Sequence, residues 1–151
     1  MKKEKAFLRE KFIEFQLKIA ELTHALHEQQ ASFQAREKEL NLNLLEILDA
    51  FENLNETIQA KEDEFDKTTR GLAKNVRAIH KKLIRLLKTN HIEQIEFPDN
   101  KARMDDCKIV DTREAADMDN ETILSVVKNG YMDKEQGKVL RKAEVITVLN
   151  G

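Results

Sequence analysis

For its first 70 residues the chain has no glycine, no proline and no valine. Gly71 is the first glycine and Pro98 the only proline. Residues 4 to 60 are mostly Glu, Lys, Leu, Gln, Ala and Arg, the side chains that lose least freedom in a helix. Nothing in that stretch lets the chain turn back, so the sequence predicts one long helix. Counting by sevens from Phe12 gives Ile19, Leu26, Phe33, Leu40, Ile47 and Leu54, all apolar. Phe15 and Leu22 fill the companion position, which Gln29, Arg36 and Asn43 then occupy, so the seam is good at its start and thins in the middle. At 1.5 Å per residue a helix from Phe12 to Leu54 would run about 63 Å. A seam that nothing in the chain covers calls for a partner helix, most simply a second copy.

A second ladder starts before the first ends: Leu44, Phe51, Ile58, Phe65, Leu72, Ile79 and Leu86. Leu48, Val76 and Leu83 stand four residues after three of its members. Where both ladders run, the apolar face widens, which suits a multi-helix bundle better than a two-helix seam. Lys61-Glu-Asp-Glu-Phe-Asp-Lys-Thr-Thr69 is polar, and Asp66, Thr68 or Thr69 could cap a new helix running to about Lys88. The expected result is a break between residues 60 and 69, a helical hairpin, and a four-helix bundle from two chains. Gly71 alone is a poor breaker, so one continuous helix to Lys88 is the alternative.

After Asn90 the vocabulary changes. Valine occurs once before residue 92 and six times after it. Candidate strands are Ile92–Phe97, Lys108–Thr112, Thr122–Lys128 and Val139–Leu149. Asn129-Gly130 reads as a two-residue hairpin turn and Gln136-Gly137 as a second turn. The expected class is α+β: a long coiled-coil helix over residues 1–40, a hairpin over 41–90 that forms a dimeric four-helix bundle, and a small, mostly antiparallel β-domain over 91–151.

Composition narrows the function. Charged residues make up 36 %, aromatics 5 %, and tryptophan is absent, a balance that favours long solvated helices over one thick core. A net charge of −2 gives no general attraction to nucleic acid or to an anionic membrane. Cys107 is the only cysteine, so no internal disulfide can form and a reducing compartment is expected. The charged start, Met1-Lys-Lys-Glu-Lys5, has no apolar run for a signal peptide, and no later run could span a bilayer. A cytoplasmic protein is expected. No phosphate loop, activated nucleophile or zinc spacing is present, so neither an enzyme nor a cofactor is expected.

Two stretches then resemble a known family. Gly130-Tyr131, followed by Gly137-Lys138-Val139-Leu140-Arg141-Lys142-Ala143-Glu144-Val145, is similar to the closing motif of GrpE, the nucleotide exchange factor of DnaK-class heat-shock chaperones. Leu44-Leu-Glu-Ile-Leu-Asp-Ala-Phe-Glu-Asn-Leu54 is similar to that family's helical motif. The resemblance implies a homodimer whose β-domain acts as an arm on the chaperone's ATPase domain, pushing its lobes apart so that ADP leaves. It implies chaperone contacts at Val127, Tyr131, Gly137, Lys138, Val139, Arg141 and Val145, and a dimer face built from the two ladders.

The sequence departs from the family pattern in several places. Glu46 replaces a proline, so no kink is expected there. His91, after Asn90, replaces a glycine, leaving Asn90 to take the left-handed cap. Lys138 and Lys142 replace an arginine and a proline, and Cys107 stands where a histidine would be in a loop that keeps only Val110 clearly. A kept closing turn favours an exchange factor; an eroded loop favours a derived adaptor. A coiled-coil scaffold would leave the closing motif unexplained.

Sharper readings of single residues carry less weight. His24 and His27, one turn apart with Glu28 beside them, form a conceivable metal pair but lack a third ligand. Asp105-Asp106 reads as a solvated turn rather than an acid–base pair. Cys107 reads as an ordinary loop thiol rather than a redox switch.

Overall fold

A computed structural model describes residues Met1–Gly151. Helix α1 spans Lys2–Lys61 and passes Glu46 without interruption. A 3-10 turn, Glu62–Glu64, follows, and helix α2 spans Lys67–Thr89. The break falls inside the expected window, and the capping residue is Asp66, whose carboxylate accepts from the Thr69 amide at 2.7 Å. Arg77 of α2 donates to Glu62 at 2.9 Å, tying the turn back onto the second helix. The continuous-helix alternative is therefore excluded.

Two compact units result, Met1–Leu40 and Asn41–Gly151. In the first, α1 has no tertiary neighbour: Phe12, Phe15, Ile19, Leu22, Leu26, Phe33 and Leu40 are all exposed. The second contains the hairpin and six strands. Phe51 stacks on His80 with ring centroids 6.2 Å apart, and the Asn55 amide meets the same imidazole at 2.8 Å, so the end of α1 lies against α2.

The strands are β1 Ile92–Gln94, β2 Cys107–Arg113, β3 Ile123–Lys128, β4 Tyr131–Asp133, β5 Lys138–Arg141 and β6 Ala143–Val148. They form two three-stranded sheets, ordered β1-β4-β5 and β2-β6-β3. Only the β2–β6 pairing is parallel. Lys142 divides the expected strand Val139–Leu149 between the two sheets, and β4 was not expected at all.

The Asn129-Gly130 hairpin is also absent. Strand β3 pairs with β6, not with β4, so this dipeptide carries the chain from one sheet to the other. Neither residue has the positive φ that a two-residue primed turn requires. Gly130 is needed for closeness instead, because a Cβ there would strike the backbone nitrogen of Ala143. The turn at Gln136-Gly137 does form, with Gly137 at φ 64°.

At the end of α2 the left-handed residue is His91 (φ 61°), while Asn90 (φ −89°) stays outside that region and donates its side-chain amide to the Leu86 carbonyl at 3.1 Å. A Cβ in this conformation costs about 1–2 kcal/mol, partly offset by the greater entropy glycine loses on folding. His91→Gly is expected to stabilise the protein by about 0.5–1 kcal/mol. Urea unfolding checks this, and a lower midpoint would contradict it.

Two cores hold the second unit. Leu45, Leu48, Leu87, Ile92 and Tyr131 join helices to sheet, with Leu44, Leu83 and Leu140 packed around them. Cys107, Ala143 and Val145 form the other, under Phe97, Ala102, Ile109 and Ile123.

Candidate functional site

The residues expected to meet a partner divide sharply. Val127 is exposed on β3, and Gly137 and Lys138 are exposed at the β4–β5 turn, with Val139 half-buried beside them. Three others, Tyr131, Arg141 and Val145, are turned toward the rest of the chain. Val145 is fully buried in the β2-β6-β3 sheet. Tyr131 is 5 % exposed, with its ring in the core between helices and sheet. Arg141 pairs with Asp49 of helix α1.

That last contact is the centre of a hydrogen-bonded cluster between α1 and the strands. Arg141 donates from both terminal nitrogens to the two carboxylate oxygens of Asp49, each at 2.7 Å. Its remaining donors reach the Asn129 carbonyl at 3.2 and 2.9 Å. The guanidinium lies 5.5 Å from the Tyr131 ring centroid. One helical turn on, Glu52 accepts from the Tyr131 hydroxyl at 3.3 Å and from the Asn129 amide at 3.1 Å. Lys128 Nζ stands 3.6 Å from Asp49. The two sequence stretches that read as motifs are therefore two halves of one joint. Asp49 and Glu52 were not singled out in the sequence, although their spacing of three places both carboxylates on one helix face.

Burial raises the pKa of Tyr131 far above its ordinary value of 10, and the nearby Glu52 carboxylate, which accepts its proton in a hydrogen bond, pushes the same way. A raised folded-state value means that this contribution is complete below pH 10 and is lost as pH climbs beyond it. Stability is expected to fall by about 1.4 kcal/mol per pH unit while only the unfolded chain ionises its phenol. Tyr131 is the only tyrosine, so tyrosinate absorbance should appear with unfolding and not before it. If Tyr131→Phe shows the same alkaline loss, the phenol is not its source.

The loop before β2 is organised by Arg103. It pairs with Asp106 at 2.9 Å and Asp99 at 3.7 Å and lies 5.5 Å from the Phe97 ring centroid. Asp106 is thus engaged by a cation rather than by Asp105. Cys107 is not a loop thiol: it opens β2 and is buried, and burial raises its pKa, which leaves little thiolate. His24 and His27 are exposed on α1, with Glu28 3.5 Å from His24.

The expected dimer residues divide as well. Leu48 and Ile58 are buried within the chain itself, and Leu44, Phe51, Val76 and Leu83 are half-buried. Ile47, Leu54, Leu72, Ile79 and Leu86 stay exposed on the hairpin, as does the whole seam of the first unit. No helix is long and apolar enough to cross a membrane.

The family model of GrpE matches residues 1–148, nearly the whole chain. The chain belongs to the GrpE family. Members of that family are exchange co-chaperones of DnaK-class chaperones, belong to the stress response and catalyse no reaction themselves. No curated protein matches the chain closely enough to add to this. The long helix, the second helix and the antiparallel and mixed sheets agree with the GrpE assignment.

Proposed function

We propose that this GrpE protein is a cytoplasmic adenine-nucleotide exchange factor. It opens the ATPase domain of a DnaK-class chaperone and releases ADP. The observation that carries the reading is the family match over residues 1–148. The physics is population shift: a factor that binds the open cleft better than the closed one lowers the affinity for ADP. Linkage is reciprocal, so ADP weakens the factor's binding by the same ratio.

In this reading residues 1–40 pair two chains, residues 41–90 complete a four-helix bundle, and residues 91–151 are the working arm. The exposed ladder Phe12, Phe15, Ile19, Leu22, Leu26, Phe33 and Leu40, continued by Ile47, Leu54, Leu72, Ile79 and Leu86, supplies the dimer face. Val127, Gly137 and Lys138 supply the chaperone contact, and their exposure supports that role. Lys138 offers a cation beside a glycine that allows close backbone approach.

The deciding experiment is release of a fluorescent ADP analogue from a DnaK-class chaperone with and without the protein. Acceleration is expected. Binding without acceleration would mark a GrpE-derived adaptor, and no binding at all a scaffold. Lys138→Glu reverses an attractive contact and is expected to cost about 1–3 kcal/mol of chaperone binding, with a larger effect on association at low salt. Helix content and dimer mass should not change. Undiminished binding would remove Lys138 from the interface.

A further inference from the structure

We propose that Asp49 and Glu52 are positioning residues: together they lock the arm's orientation on the bundle helix, and that fixed orientation is what lets the arm open the chaperone's cleft. The proposal rests on the exchange reading above.

All four carboxylate oxygens of this pair receive hydrogen bonds from the β-domain: two from Arg141, one from Tyr131 and one from Asn129. The donors come from three places, the end of β5, the start of β4 and the link between the two sheets, so one spot on α1 holds the β1-β4-β5 sheet and the link that leads to it from β3. The side chains are largely withdrawn from water, Arg141 15 % and Asp49 20 % exposed. The neighbouring core of Leu45, Leu48, Leu87 and Ile92 already makes the domains adhere. Apolar adhesion has no preferred direction, whereas a planar fork on a carboxylate fixes both distance and angle.

Both candidate contact points depend on the clamp. Val127 precedes the Lys128-Asn129 pair that touches Asp49 and Glu52, and Lys138 begins the strand that Arg141 ends. An arm that holds the chaperone's lobes apart must resist their push back. If the joint yields, the arm still binds but relaxes around the closed cleft, and its preference for the open state falls.

The test uses the full chain, with Asp49→Asn combined with Glu52→Gln, with Arg141→Lys, and with the exchanged pair Asp49→Arg and Arg141→Asp. Spin labels at the exposed positions Asn53 and Ser125, diluted with unlabelled protein, report the arm's orientation on α1. ADP-analogue release and chaperone affinity are measured on the same unlabelled variants. The wild type should give a narrow distance distribution. The amide variant and Arg141→Lys should broaden it and slow ADP release at saturation at least tenfold, to order of magnitude, with affinity within about threefold. The exchanged pair should narrow the distribution again and restore some of the release rate.

An unchanged distribution in the amide variant overturns the clamp. A broadened distribution with undiminished release overturns its positioning role. Loss of helix signal or of the sheet in the amide variant would make the cluster a folding element and overturn the proposal as well. If the wild type itself does not accelerate release, the exchange reading falls, and the role in exchange falls with it. The distances then still judge whether the clamp orients the arm.

Discussion

Leu48→Asp is expected to unfold the whole unit Asn41–Gly151, not only to separate the subunits of a dimer. Leu48 is 1 % exposed and sits among Leu45, Leu87, Ile92 and Tyr131, where helices meet sheet. Truncating such a leucine costs about 2–5 kcal/mol through lost burial and the cavity left behind. A carboxyl there adds the cost of an unpaired polar or charged group, several kcal/mol more. The sum approaches the roughly 5–15 kcal/mol that holds an ordinary domain together. Ile47 is the control: its side chain is exposed on the same helix, so Ile47→Asp should leave the sheet signal intact and act only on self-association. Circular dichroism and sedimentation on both variants separate the two outcomes. A Leu48→Asp protein with native sheet signal and an unchanged melting midpoint would remove Leu48 from the core.

Gly130→Ala is the second large effect. The added Cβ would strike the Ala143 nitrogen and stand 3.0 Å from both the Ala143 Cα and the Arg141 carbonyl oxygen. All three are backbone atoms and cannot rotate aside. Gly130 cannot retreat either, because its own carbonyl accepts from the Ile95 amide at 2.8 Å. A loss of about 3 kcal/mol is expected, the upper end for forced overpacking. Gly71→Ala is the contrasting case, since nothing lies within 4 Å of the new atom. There the substitution should stabilise the helix by about 0.5–1 kcal/mol. Urea midpoints on the pair measure the difference, and equal midpoints would contradict the crowding at Gly130.

The helical region was legible because its signals are local. A run without glycine, proline or valine can do little but form a helix, and Asp66 caps the residues that directly follow it. Periodicity gave the apolar face but not its cover: Leu48 and Ile47 are neighbours in two ladders, yet one packs inside the chain and the other does not. Strands β2 and β3 were legible from their β-branched residues. Strand β4, Tyr-Met-Asp, was not, since its three residues show no alternation and are held by pairing on both sides.

Asn129-Gly130 misled for a related reason. The dipeptide's turn preference is local, whereas the demand on Gly130 comes from Ala143, close in space and distant in sequence. Asp49 and Glu52 were missed because a carboxylate on a helix in a charged chain reads as solvated. Their meaning lies in an arginine 92 positions away.

The placement of β6 has a consequence for how the protein is made. It is the central strand of its sheet and the last in sequence, and β2 and β3 touch each other only through it. On the ribosome the two helices can form as soon as they emerge, because every bond they need is nearby in sequence. Strands β2 and β3 must wait for Val148 to be synthesised, on the order of seconds at usual translation rates. Through that interval both present bare edges. The nascent protein therefore carries finished helices beside strands whose edges are still open to pairing.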